Sequence, residues 1–127
     1  MQPGIRRNYR AQGAIGRYRF ATFGTADGTV KQAADDSATI IGVAHDIDLV
    51  DGERGDIVRD DFPGIEYGGA VTRGDYLTAD SEGRAIPITP PAAGETVHYG
   101  GIAEVSGVVG DICPVWLEPG VLIRPAA

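Results

Sequence analysis

Short runs of Val, Ile, Thr, Tyr and Phe recur along this chain, and each is cut off within a few residues by Gly, Pro or an acidic turn residue. Apart from Thr29–Ile41, no window free of Gly and Pro exceeds nine residues, whereas a mean helix needs about 11–12. The pattern therefore largely excludes helices and predicts strands near Arg17–Phe23, Thr29–Ala33, Ala38–Ala44, Asp56–Arg59, Ile65–Val71, Tyr76–Ala79, Arg84–Ile88, Thr96–Val105, Ile112–Leu117 and Val121–Arg124. Asp27-Gly28, Asp51-Gly52 and Glu82-Gly83 fall between these runs, where a hairpin needs the positive φ that glycine takes at little steric cost. Gly68-Gly69 and Gly100-Gly101 lie inside runs and mark bulges, bends or close backbone approach. The stretch from Pro87 through Pro90-Pro91 to Gly94 reads as a loop.

Three phrases occur twice in the same order. Thr25-Ala26-Asp27 with Gly28 is echoed by Thr78-Ala79-Asp80 with Gly83, Gly42-Val43-Ala44 by Gly101-Ile102-Ala103, and Gly55-Asp56-Ile57-Val58 by Gly110-Asp111-Ile112-Cys113. Two related halves, each burying a face against the other, would give a pseudo-symmetric antiparallel body with insertions in its loops.

Composition bounds this picture. The chain's 127 residues suit one domain with a core of its own, and 19 glycines are about twice the usual share. Cys113 is the single cysteine, so no intrachain disulfide forms, and folding in a reducing cytosol fits. No continuous apolar h-region opens the chain, and no stretch approaches the roughly 20 apolar residues of a membrane span.

Charge divides the chain unevenly. The first 26 residues hold five arginines (Arg6, Arg7, Arg10, Arg17, Arg19) and no carboxylate, while all 18 carboxylates follow. With few apolar residues of its own, residues 1–16 read as an extended basic arm that gains order from an outside surface, and 17–127 as the single β domain. Arginines interleaved with Tyr9, Tyr18 and Phe20 also suit nucleic acid, but the acidic remainder of the chain would repel it, so protein docking is the stronger reading.

Candidate chemistry is sparse. Asp46 and Asp48 would share a strand face beside His45, yet the other histidine, His98, lacks zinc-motif spacing, so a structural or solvated role is expected. Asp35-Asp36 and Asp60-Asp61 sit at turn signals with no calcium-loop pattern, and Cys113 lies in an apolar run with no basic neighbour to activate it. A competing reading is a small-ligand or carbohydrate-binding β-barrel using Trp116 or Tyr67 as a stacking platform. Trp116 is otherwise expected in the core or at a subunit interface.

The ordered phrases carry a resemblance. Tyr18-Arg19-Phe20-Ala21-Thr22-Phe23-Gly24, Asp27-Gly28-Thr29-Val30, Ile41-Gly42-Val43-Ala44, Gly74-Asp75-Tyr76-Leu77-Thr78-Ala79-Asp80 with Gly83-Arg84-Ala85, and Gly101-Ile102-Ala103-Glu104 together resemble tailed-phage head decoration, or capsid cement, proteins. The likeness spans roughly residues 12 to 123. It implies a small all-β, barrel- or tulip-like body made in the host cytoplasm and carried on the virion. There it would sit as a homotrimer on the outside of an expanded head and stabilise the head against DNA pressure. The expected partner is the major capsid protein, reached through Ile5, Arg6, Arg7, Tyr9, Arg10, Ile15 and Arg17, with Trp116 at the core or trimer interface. It implies no catalytic residue, metal or cofactor, no direct nucleic-acid partner and no membrane. The five-arginine start departs from the more neutral beginnings of such proteins.

Overall fold

The computed structural model describes residues 5–45 and 47–126, and among them there are strands and turns but no helix. Ten strands follow one another: β1 (Arg6–Ala11), β2 (Phe20–Phe23), β3 (Thr29–Gln32), β4 (Ile40–Ala44), β5 (Arg54–Val58), β6 (Gly64–Glu66), β7 (Tyr76–Ala79), β8 (Ala85–Pro87), β9 (Thr96–Ala103) and β10 (Ile112–Ile123). The first five close into a barrel in the order β1-β3-β2-β4-β5, and the last five form a sheet in the order β6-β10-β9-β7-β8. The two runs expected at Ile112–Leu117 and Val121–Arg124 are one strand, bent by a register shift between Leu117 and Gly120.

The two sheets repeat one plan. In the first, β2 pairs with β3 and β4, and β4 with β5; in the second, β7 pairs with β8 and β9, and β9 with β10. β1 runs antiparallel to β5 as β6 does to β10. Individual hydrogen bonds recur as well. Ala11 N–H donates to the Glu53 carbonyl and Gly52 N–H to the Ala11 carbonyl, as Tyr67 N–H donates to Asp111 and Gly110 N–H to Tyr67. The side chains of Glu53 and Asp111 accept from Val50 N–H and Val108 N–H at 2.8 and 2.9 Å, fastening equivalent turns. Isolated bridges Ile15–Leu49 and Val71–Gly107 complete the match.

This register confirms one sequence echo and corrects two. Gly42-Val43 and Gly101-Ile102 face Ala21-Phe20 and Leu77-Tyr76 respectively, so they are true equivalents. A Cβ at Gly42 or Gly101 would run into the Val58 or Trp116 carbonyl of the neighbouring strand, which explains glycine at both. The strand residue equivalent to Thr78 is Thr22 rather than Thr25, and Ile57 corresponds to Val115 rather than Ile112, because each faces the same neighbours in its half. Hairpin glycines Gly28, Gly52 and Gly83 do take positive φ, at 76°, 85° and 76°. At the position where the second half has Gly74 (φ 95°), the first has Tyr18 at φ 59°, an uncommon conformation for a side-chain-bearing residue.

The halves differ in closure. β1 joins β3 through Arg10–Thr29 and Ala11–Val30, sealing the first barrel. In the second half only the Tyr67–Ala85 bridge stands at that seam. Residues 18–20 of the first half are inserted there instead: Glu66 N–H donates to the Tyr18 carbonyl and Phe20 N–H to the Gly83 carbonyl, at 2.9 and 2.8 Å. Around this wedge the larger core forms, with Phe20, Ala33, Ile40 and Val43 packed on Ile65, Tyr67, Leu77, Ala103, Val115 and Leu117. The smaller core is the first barrel's interior and contains Tyr9, Ala11, Ile15, Ala21, Val30, Ile41, Leu49 and Ile57.

Residues 6–11 are therefore a barrel strand, not an arm ordered from outside. The boundary expected at residues 16/17 coincides with no break in packing, since Tyr9, Ala11 and Ile15 are buried in the first barrel. Low hydrophobicity hid this strand. Only Tyr9 and Ala11 of its six residues are buried, and three arginines and Asn8 occupy the remaining positions.

Candidate docking surface

Strand β1 turns Tyr9 and Ala11 inward, and by the same alternation Arg6, Asn8 and Arg10 stand on the outside of the barrel. β5 lies beside it with Arg10 opposite Arg54 and Asn8 opposite Asp56. Two like charges directly opposed across a ladder disfavour the pairing, so this strip lowers its own energy by receiving an anionic group. Arg10 Nη1 donates to the Gly52 carbonyl at 2.9 Å and Arg54 Nη1 to Asn8 Oδ1 at 3.3 Å, which orients both guanidinium groups, with Asp56 the one carboxylate on the same outer face of β5.

Towards its N-terminal end β1 outruns β3, whose pairing begins only at Arg10. The uncovered edge borders a cleft of about 430 Å³ lined by Arg7, Tyr9, Phe23, Gly28 and Arg59 among others. Arg7 stacks over the Tyr9 ring at 5.6 Å, Arg59 lies 5.9 Å from the Phe23 ring centroid, and Arg59 Nη1 donates to the Tyr9 hydroxyl. This barrel mouth thus combines an exposed aromatic ring with two guanidinium groups.

Of the residues singled out from sequence, Ile5, Arg6, Arg7, Arg10 and Arg17 are exposed, whereas Tyr9 and Ile15 are internal and hold the strand in place. Arg17 is removed from the strip, its N–H bonded to Asp48 Oδ1 at 2.9 Å. Sequence reasoning missed Arg54 and Arg59. Their signal was available as two arginines bracketing the run Gly55–Val58, but only strand pairing brings them to β1.

Trp116 is 44 % exposed, which removes it from the core. It lies on the outside of the second sheet opposite Ile102, which in turn pairs with Tyr76; the Tyr76 and Tyr99 rings meet edge to face at 4.9 Å. Tyr67 is fully buried with its hydroxyl donating to the Val105 carbonyl at 2.7 Å, so it offers no stacking platform. Burial, with Cys113 and Asp111 nearby, pushes its phenol well above the usual range. The Cys113 thiol is likewise raised, by burial and then by Asp111, and is not an activated nucleophile. Asp46 lies outside the described residues, and no group of three His, Cys, Asp or Glu able to hold a metal occurs among the described ones.

No protein-family model and no curated protein sequence matches this chain. Among solved structures, the chain is similar to the N base of head fiber gp8.5 of bacteriophage phi29. The likeness has a TM-score of 0.68 at 19 % identity and covers 90 % of this chain and 93 % of that one. It establishes a shared fold over nearly the whole of both chains.

Proposed function

We propose that the protein is a structural component of a phage head, docking on the outer surface of the expanded capsid as a decoration protein. The observation that carries this is the fold shared with a phage head-fiber base across nine-tenths of the chain, in the class of virion component that the ordered sequence phrases resemble. The chemistry of β1 agrees. Arg6, Arg10 and Arg54 form a basic strip on a rigid barrel wall, suited to carboxylates of a major capsid subunit, with Ile5 and Arg7 at its rim. Held on strands, these groups lose less freedom on docking than a flexible arm would, so fewer contacts suffice. In this reading the protein acts by binding rather than catalysis, sits on the capsid as trimers, and clamps neighbouring subunits against the pressure of packaged DNA. It is made in the host cytoplasm and contacts neither DNA nor membrane.

The test is co-sedimentation with undecorated expanded heads, titrated to saturation. Wild type is expected to bind saturably. Arg6→Glu/Arg54→Glu, which alters exposed positions and leaves both cores intact, is expected to lose at least tenfold in affinity. Absence of saturable binding by the wild type overturns the reading.

A further inference from the structure

The chain contains the same half twice, yet only one half has its outer sheet face covered. In the first half Phe20, Val43 and Val58 are buried. Their equivalents by strand register are Tyr76, Ile102 and Trp116, since Phe20 faces Val43 and Val43 faces Val58 as Tyr76 faces Ile102 and Ile102 faces Trp116. Tyr76 and Trp116 are 43 % and 44 % exposed. What covers Phe20 and Val43 is the second half, whose barrel end at Ile65, Ala79 and Leu117 receives them. The matching end of the first barrel is the mouth at Tyr9, Phe23 and Arg59, which is open, with Phe23 52 % exposed.

We propose that the Tyr76–Ile102–Trp116 face docks on the first-barrel mouth of a second copy, so that copies join head to tail and close into a ring. The contact between halves within one chain would then be repeated, in modified form, between chains. Charge supports this polarity. Within the chain the junction carries an ion pair, Arg19 to Glu66 at 3.2 Å. The equivalent positions hold Asp75 and Arg10, so the charges brought towards each other between copies are again a cation and a carboxylate, with the signs exchanged. On the larger scale, residues 1–59 hold eight basic and eight acidic residues, while 60–127 hold three basic and ten acidic ones. The second half is thus drawn to the argininyl mouth and repelled by another second half. One feature differs: the β1–β3 seam is already sealed at Arg10, so the incoming Tyr76 packs against the mouth rather than inserting as Phe20 does.

The proposal supplies the interface for the trimer in the preceding reading, but its test uses free protein and no heads, so either can fail alone. Phe23→Glu and Trp116→Glu each place a charge at an exposed position. By analytical ultracentrifugation across roughly 1–100 µM, the wild type is expected to associate and each variant to remain monomeric. An equimolar mixture of the two variants is expected to form heterodimers, because each keeps one intact surface, and to stop there because no ring can close. A monomeric wild type throughout this range overturns the proposal. So does a variant that associates as the wild type does, or a mixture that stays monomeric.

Discussion

The two halves share strand order, turn fastenings and interior positions, but they obtain a filled interior in opposite ways. In the first barrel the small Ala11 and the branched Leu49 both belong to the interior; in the second, the equivalent positions hold Tyr67 and Gly107. A Cβ on Gly107 would already press on the Tyr67 ring, so the bulk has moved from one wall of the barrel to the other. The comparison teaches that the fold conserves the volume enclosed and the hydrogen bonds that close the turns, while the residue supplying that volume is free to change sides. Closure is likewise satisfied twice by different means, by β1–β3 in the first half and by a borrowed segment in the second.

The largest effect that would break this comparison comes from removing residues 1–16. In the first half this deletes a strand with Tyr9, Ala11 and Ile15, of which the two large side chains alone contribute about 1.5–3 kcal/mol each by burial, and it leaves β5 and β3 unpaired on one side. Set against a typical total of about 5–15 kcal/mol, the loss should leave the first half unfolded, seen as collapse of amide dispersion for residues 20–58. A truncated chain with native dispersion would show that β1 is an addition to a body complete without it.

Next comes the exchange of bulk. Tyr67→Ala is expected to cost about 3–5 kcal/mol in chemical denaturation. Adding Gly107→Leu to that variant should return at least ~1 kcal/mol, whereas Gly107→Leu alone destabilises by overpacking. Strict additivity of the two changes would mean that the halves do not fill their interiors by a shared rule.

A pH dependence sharpens the same point, because at this interior position the first half has Ala11 and the second a phenol. Tyr67 holds its proton in the folded chain at pH values where the unfolded phenol, near pKa ~10, has lost it. The folded state then binds more protons than the unfolded one, and stability falls as pH rises above about 10. Tyr67→Phe should be less stable near neutrality, having lost the bond to the Val105 carbonyl, and should show a flatter alkaline limb in thermal melts from about pH 9 to 11. An unchanged slope would assign the alkaline loss elsewhere.

The smallest effect concerns Tyr18 and Gly74. Gly74→Ala meets open space but a positive φ, and should cost about 1 kcal/mol, while Tyr18→Gly relieves a comparable strain and should change stability by less than that.

Sequence made much of this legible, for identifiable reasons. Strands of period two with glycine at the turns were visible wherever Val, Ile and Tyr recur, and Tyr76–Ala79 was placed to the residue. The duplication was visible at Gly42 and Gly101, where backbone approach permits no side chain in either half. It slipped by three residues elsewhere because Gly/Asp turns look alike whether or not they occupy the same place. β1 was hidden because Arg6, Arg7 and Arg10 outnumber its two inward residues, and the site was incomplete because Arg54 joins it only through pairing across the ladder.

The wedge formed by residues 18–20 has a consequence for the order of assembly. Every strand of the first barrel lies within residues 6–58, so that barrel can close while later residues are still being added during synthesis. The second sheet, by contrast, lacks a sealed seam until Tyr18 and Phe20 occupy it. A chain synthesised from its N-terminus therefore presents the finished first half as a template on which the second is laid down. Pairing with a neighbouring chain's first half is the chief way this sequence of events would go wrong.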